Sequence, residues 1–260
     1  MFKKIITLLV MILVFCTGCE KKENIVTSDL SKVMDRGEVI IGVRTDTYPF
    51  GYIDEKGNYA GYDIDIAKLI GNKLFGQDGK VKLVPVTASD RMMKLFSEDI
   101  DMIIATMSVT PARMQILDFS NSYYVSGQAL LVRKDSKIKG IRDLNGKRAI
   151  IVFGSTAEKS LRSAVPNVGI IGYTTYDKAA QGLKNKRGEA IVSDNSILLG
   201  LALKDKSLKL LPKKYSKEPY AIAFRKGDES TEFIKVVNQI LDNANHNGTL
   251  KKLQKSYGIK

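Results

Sequence analysis

Short apolar runs alternate along this chain with stretches whose apolar residues recur at helical spacing. Residues 39–43, 81–86 and 102–106 are β-rich runs. Between the first two, residues 61–75 put Ile66, Ile70 and Leu74 on one helix face, with Asp63 and Asp65 near its positive end. Residues 91–96 supply a short helix before the third run. Strand–helix–strand–helix–strand with short links predicts an α/β sheet with right-handed crossovers. A second set follows. Strands are predicted at 129–132, 149–153, 169–173, 190–193, 209–211 and 220–224, and helices at 157–163, 178–184 and 197–204, with a helical turn at 141–144. The chain closes on an amphipathic helix, 230–244, ended by Asn247-Gly248, and a short helix carrying Leu250 and Leu253. The loop at 44–50 carries Tyr48 and Phe50, and 54–58 has hairpin turn chemistry.

The N-terminus has a different pattern. Lys3 and Lys4 precede the apolar run 5–15, and Cys16-Thr17-Gly18-Cys19 ends it with small residues. Spanning a bilayer takes about 20 apolar residues, so 1–18 reads as a signal peptide. Its ending resembles a bacterial lipobox, with Cys16 where such sequences usually carry Leu, and implies cleavage before Cys19 and lipidation of that cysteine. Residues 19–36 are expected to tether the lipid to the domain, the polar stretch 20–28 being its flexible part.

The chain carries 41 Lys and Arg against 28 Asp and Glu, a formal charge of +13 that falls to +11 once Lys3 and Lys4 leave with the leader. The basic residues are scattered, with neither a long basic run nor arginine–aromatic interleaving, which argues against nucleic acid. Outside the cytoplasm, the polyanions on offer are membrane headgroups and wall polymers. No thiol pair survives cleavage, and the lone His246 sits in a terminal Asn-His-Asn-Gly turn. Neither a catalytic triad, a metal cluster nor a phosphate-cradling glycine loop is expected, and so no cofactor.

The segment 101–113 is the richest in chemistry. The apolar run 102–105 is followed by the hydroxyls of Thr106 and Ser108, and Thr110-Pro111 marks a helix start. Arg113 falls in the first turn, where the helix dipole opposes a cation. Hydroxyls, free helix-start N–H groups and a guanidinium therefore meet at the end of a strand, an arrangement that traps a carboxylate. The plainer alternative is a surface arginine paired with a nearby acid.

Gly61-Tyr62-Asp63-Ile64-Asp65-Ile66, with Ile70, Gly71 and Leu74 behind it, resembles the signature of bacterial extracellular solute-binding proteins of family 3, the polar amino-acid receptors of ABC importers. The resemblance runs from about residue 37 to 258. It implies a two-lobed α/β fold of the periplasmic-binding-protein type (type II) with two hinge strands. Lobe 1 would comprise 37–127 and the return segment 225–260, and lobe 2 would be 128–224. It also implies a monomer that is not an enzyme, exported and lipid-anchored at the outer face of the membrane or periplasmic. It would bind a free amino acid and dock on the transmembrane permease subunits.

Carried over by position, Thr106, Ser108 and Arg113 would hold the α-carboxylate. Ser155 and Thr156, in Gly154-Ser155-Thr156, would close on it from lobe 2. Asp194 would take the α-amino group, and Phe50 or Tyr48 would pack on the ligand. By themselves, Asp194, Ser155 and Thr156 could equally be helix caps, and the two aromatics core or hinge packing. Arg91, at the head of its helix, matches a position that often faces the ligand side chain. A second guanidinium there favours an anionic ligand, so glutamate or aspartate is expected, with cysteine or cystine as the alternative. An ion pair with Asp90 is the local alternative for Arg91. A prephenate- or arogenate-type dehydratase on the same fold, with Asp194 as its acid, is the enzyme alternative.

Overall fold

The computed structural model describes residues 28–76 and 80–259. The expected leader, Cys19 and the tether up to residue 27 lie outside the described residues. Order begins earlier than the sequence predicted. Asp29–Arg36 forms helix α1, capped by the Ser28 hydroxyl, which accepts the Ser31 N–H, and closed by Gly37 at φ 68°. The Asp29 carboxylate accepts from the Ser230 hydroxyl at 2.7 Å and pairs with Arg225 at 2.8 Å, which ties the helix to the domain. The last eight residues of the expected tether are therefore part of lobe 1.

Lobe 1 continues with β1 (Glu38–Val43), the small hairpin set β2 (Asp46–Thr47), β3 (Gly51–Ile53) and β4 (Tyr59–Ala60), then α2 (Tyr62–Phe75), β5 (Lys80–Pro85), α3 (Arg91–Phe96), β6 (Met102–Ile104), α4 (Pro111–Met114) and β7 (Leu117–Phe119). Strand β8 (Tyr124–Ser126) leads out of it. Lobe 2 comprises β9 (Gln128–Arg133), β10 (Arg148–Val152), α5 (Ala157–Ala164), β11 (Gly169–Tyr173), α6 (Tyr176–Lys184), β12 (Ala190–Asp194), α7 (Asn195–Lys204) and β13 (Leu208–Leu210). Strand β14 (Glu218–Tyr220) returns antiparallel to β8, and these two crossings join the lobes. Strand β15 (Ala223–Arg225), α8 (Asp228–His246) and α9 (Thr249–Ser256) complete lobe 1.

The lobe-1 sheet has the order β5-β1-β6-β15-β7, and the lobe-2 sheet β11-β10-β12-β9-β13. Strand β15 lies inside the first sheet, with Ala223 opposite Ile103 on one side and Phe119 on the other. Residues 221–224, expected in lobe 2, therefore belong to lobe 1, and lobe 2 ends at about residue 217. Both sheets are covered on two faces, so their central strands read as unbroken apolar runs. In β6, Met102 and Ile104 face the core beneath α2 and α8, while Ile103 faces the core beneath α3. In β10, Ile150 and Val152 face α6 and α7, and Ala149 and Ile151 face α5. The polar positions that follow these strands open toward the groove between the lobes.

Candidate ligand-binding cleft

The lobes are closed on each other. The cavity left between them, about 10 Å³, has room for no more than about one water, so the lobes must part to admit a ligand. Its walls include Arg91, Thr106, Ser108, Arg113, Ser155, Thr156 and Asp194, seven of the nine positions expected from the sequence.

Lobe 1 supplies the cations and hydroxyls. Thr110 caps α4 by accepting the Arg113 N–H at 3.2 Å, and this fixes where the arginine leaves the backbone. The Arg113 guanidinium donates from Nη1 to the Ser108 carbonyl at 2.7 Å and from Nη2 across the cleft to the Gly154 carbonyl at 3.0 Å. No carboxylate pairs with it among the described residues, so the surface ion pair is not formed. Thr106 sits at φ 47°, a strained position for a β-branched residue. Its N–H is held at 2.8 Å by Asp63, which also accepts from the Tyr123 hydroxyl at 3.0 Å. Burial pushes Asp63 up to about 6 against those two hydrogen bonds.

Arg91 opens α3 and is almost fully buried. Its Nη1 donates to the Ala105 carbonyl at 2.6 Å and its Nη2 reaches the Gly154 carbonyl at 3.5 Å, but its Nε has no partner among the described residues. Asp90 does not pair with it, because that carboxylate accepts the Thr87 N–H at 2.7 Å. Burial, then the neighbouring Arg113 and Arg44, pull the Arg91 guanidinium well below its ordinary value.

Lobe 2 supplies the acid. Asp194 ends β12 and occupies the N-cap position of α7, yet its side chain makes no cap bond. It accepts instead from Gln128 Nε2 and the Tyr220 hydroxyl, each at 2.6 Å. Burial pushes it up to about 7, with the Tyr220 hydrogen bond opposing. Gln128 Nε2 also reaches the Thr156 hydroxyl at 3.0 Å, while the Ser155 hydroxyl donates to the Val152 carbonyl at 2.7 Å. Gln128 Oε1 is buried without a partner among the described residues.

Tyr48 and Phe50 are not in the cavity, which corrects the expectation that one of them packs on a ligand there. Phe50 is fully buried in lobe 1 among Tyr62, Tyr124 and Tyr220, with ring centroids 5.1–5.9 Å apart. Tyr48 stacks edge-on with Tyr52, and its carbonyl faces Gly200 of α7. Both are packing residues at the lobe junction. The aromatic in the cavity is Tyr176, at the start of α6, hydrogen-bonded to Ser193 at 2.6 Å. Arg44 also lines it, fully buried and held to Asp46 by two hydrogen bonds of 2.8 and 2.5 Å, with its guanidinium carbon 5.5 Å from the Tyr176 ring centre. Asp46 in turn accepts the Tyr176 N–H at 3.1 Å, one carboxylate bridging the lobes. Arg44 follows an apolar strand directly, as Thr106 nearly does, and strand C-termini are where ligand groups gather in α/β sheets; that signal was available. Tyr176 and Gln128 carried none.

Arg91 and Arg113, neither paired with a carboxylate among the described residues, thus face Asp194 between the closed lobes, with Arg44 beside them already neutralised by Asp46. The arrangement can hold a molecule carrying both charges, with a surplus of positive charge around it.

A sequence profile of the bacterial extracellular solute-binding proteins, family 3, matches residues 39–260. The glutamine-binding protein of Geobacillus stearothermophilus is 39% identical over 202 residues, covering 77% of each chain. The ABC transporter glutamine-binding protein of Bacillus subtilis is 36% identical over 88% of this chain and 84% of its own. Among solved structures, the cysteine-binding protein of Campylobacter jejuni superposes with a TM-score of 0.84 at 32% identity, over 88% of this chain and 92% of that one.

Proposed function

This chain belongs to family 3 of the bacterial extracellular solute-binding proteins, and from that premise we propose that its amino acid is an acidic one, glutamate or aspartate. It is an amino-acid-binding component of an ABC transporter and not an enzyme, as are the relatives it resembles. The dehydratase alternative is set aside on that ground.

In this reading the ligand α-carboxylate lies against Arg113, Thr106 and Ser108, with Ser155 and Thr156 closing from lobe 2. The α-ammonium lies against Asp194. Those contacts use up a neutral amino acid's charges and leave Arg91 unmatched. The observation that carries the proposal is that Arg91 is buried, has an unpartnered Nε and lacks any paired carboxylate among the described residues. A side-chain carboxylate would supply the missing partner. Charge-assisted hydrogen bonds contribute about 1.5–3 kcal/mol each, so Arg91→Ala should weaken glutamate or aspartate binding about ten- to hundredfold and a neutral amino acid far less. Calorimetric titration with both ligands decides, and equal loss for both would refute the assignment.

Glutamine is the second reading, favoured by the two glutamine-binding relatives and by the open acceptor at Gln128 Oε1, which an amide N–H could meet. Cysteine is favoured by the structural neighbour that binds it. The same titrations, run with all four amino acids on the unmodified protein, rank these ligands directly. We further infer export with a lipid on Cys19, action as a monomer, and delivery to permease subunits in the membrane. Release of a Cys19→Ala chain from the cell surface, and a monomer mass in light scattering, are the results expected.

A further inference from the structure

Charge is divided unequally between the lobes. Residues 128–217 carry 19 Lys and Arg against 7 Asp and Glu, a formal +12, whereas 28–127 with 218–260 carry 18 against 19, a formal −1. All of the lobe-2 cations except Arg133 and Lys209 are exposed. Only Arg133, Arg162 and Lys184 stand within ion-pair distance of a carboxylate among the described residues.

Much of this charge gathers on one side of the lobe. Strand β13 is the edge of its sheet, next to β9. Lys134, Lys137 and Lys139 follow β9, and Lys206, Lys213 and Lys214 flank β13. The two groups adjoin, because Lys209 Nζ donates to the Lys134 carbonyl at 2.9 Å, and Lys139 and Lys213 line one open groove together with Arg142, Asp143 and Tyr215. Lysines on an edge strand block strand addition, but that role needs charge on β13 itself. Lys137, Lys139, Lys213 and Lys214 lie off the strand.

We propose that this lysine face of lobe 2 is a membrane-resting surface, fitted to anionic phospholipid headgroups. Exposed, unpaired ammonium groups without a deep cradle match diffuse negative charge better than they match a single bound anion. A lipid at Cys19 would hold the domain within reach, since the nine residues on to Ser28 span at most about 30 Å; the attraction itself does not depend on that anchor. Lobe 1, through which the chain enters, carries a formal charge of only −1, so attraction would orient the molecule with lobe 2 toward the surface. Such attraction is short-ranged, falling off within about 8 Å at physiological salt.

The test uses the unlipidated chain from residue 20 to 260, so that a failure of lipidation cannot mimic a failure of this surface. Co-sedimentation is measured with vesicles of phosphatidylcholine and phosphatidylglycerol at about three to one, and with phosphatidylcholine alone. A lysine near an anionic surface changes partitioning by about fivefold. Reversing Lys137, Lys139, Lys213 and Lys214 together to Glu should cut partitioning at least about tenfold. Reversing Lys56, Lys73, Lys82 and Lys251 on lobe 1, which gives the same net charge, should leave it within about threefold. Both variants should keep the cooperative thermal melt of the unmodified chain, which checks their fold. Equal losses in the two variants would overturn the proposal, and so would equal binding to both vesicle types. Binding to soluble polyphosphate without binding to vesicles would assign the face to a wall polymer and overturn it as well.

Discussion

Gly200→Ala isolates lobe closure from ligand contact. Gly200 lies in the middle of α7 and touches neither the cavity nor any of its charged groups. A Cβ there would stand 1.9 Å from the Tyr48 carbonyl oxygen of lobe 1, a distance that real Cβ atoms essentially never show. The obstacle is backbone on both sides, so the lobes would have to stay more than an ångström farther apart at this point. In the open form the same methyl meets nothing from lobe 1, and alanine in place of glycine favours the helix by about 1 kcal/mol. The two effects act on different states. Overpacking of a close contact costs about 1–3 kcal/mol, and charged to the closed state alone it corresponds to a five- to 150-fold loss of affinity. The expected result is a ligand-free Tm equal to or a few degrees above that of the unmodified protein, together with a calorimetric Kd raised by that factor. Affinity within twofold of the original, with the fold intact, would refute the claim that α7 meets the Tyr48 loop in the bound state.

Two further results follow from the buried carboxylates. Asp194 and Asp63 are raised by burial to about 7 and about 6, against about 3.9 for an unfolded aspartate. Asp63 is buried within lobe 1 whether or not the lobes close, so the folded protein binds more protons than the unfolded chain between about pH 4 and 6, and its ligand-free stability should fall as pH rises across that window; urea midpoints at a series of pH values read this directly. Ligand affinity should rise with pH while Asp194 ionises to meet an ammonium and level off by about pH 7, and a fall across that range would count against Asp194 as that partner. Asp63→Ala strips the acceptor from the buried Thr106 N–H and should cost about 1–3 kcal/mol in a urea melt. Asp63→Asn can still accept that N–H and donate to the Tyr123 oxygen, so it should cost clearly less, and the reverse order would mean that the charge and not the hydrogen bonds matters there.

What could be read from the sequence divides along a physical line. Strands buried on both faces, such as β6 and β10, leave continuous apolar runs, and helices packed on one face leave the spacing of Ile66, Ile70 and Leu74. Groups that sit just past a strand end announce themselves by position, and Thr106, Ser108 and Arg113 did so. Contacts that depend on which segments cross in space leave no such mark. Residues 221–224 look like any other β-rich run, and only pairing with β6 and β7 puts them in lobe 1. Asp29 looks like a tether residue until Ser230 and Arg225, some 200 positions away, complete its surroundings. The place of Phe50 leaves no mark for the same reason: the cluster of Tyr62, Tyr124 and Tyr220 that absorbs it comes from three distant segments.

The charges that line the cleft also account for why closure should wait for ligand. Bringing the lobes together buries Arg91 and Arg113, and burial alone lowers both below the usual guanidinium range while it raises Asp194. Each shift records a charged form made less comfortable by loss of water. Two neighbours of like charge deepen the penalty at Arg91. Hydrogen bonds across the junction, such as Arg113 to the Gly154 carbonyl and Tyr176 N–H to Asp46, favour the closed form but return only part of that penalty. A ligand that brings negative charge to the arginines and positive charge to Asp194 restores what solvent provided, and it can do so only when both lobes reach it. Its differential affinity for the closed form is therefore built from the same groups that make the empty closed form unfavourable. A neutral molecule in its place would leave that imbalance standing.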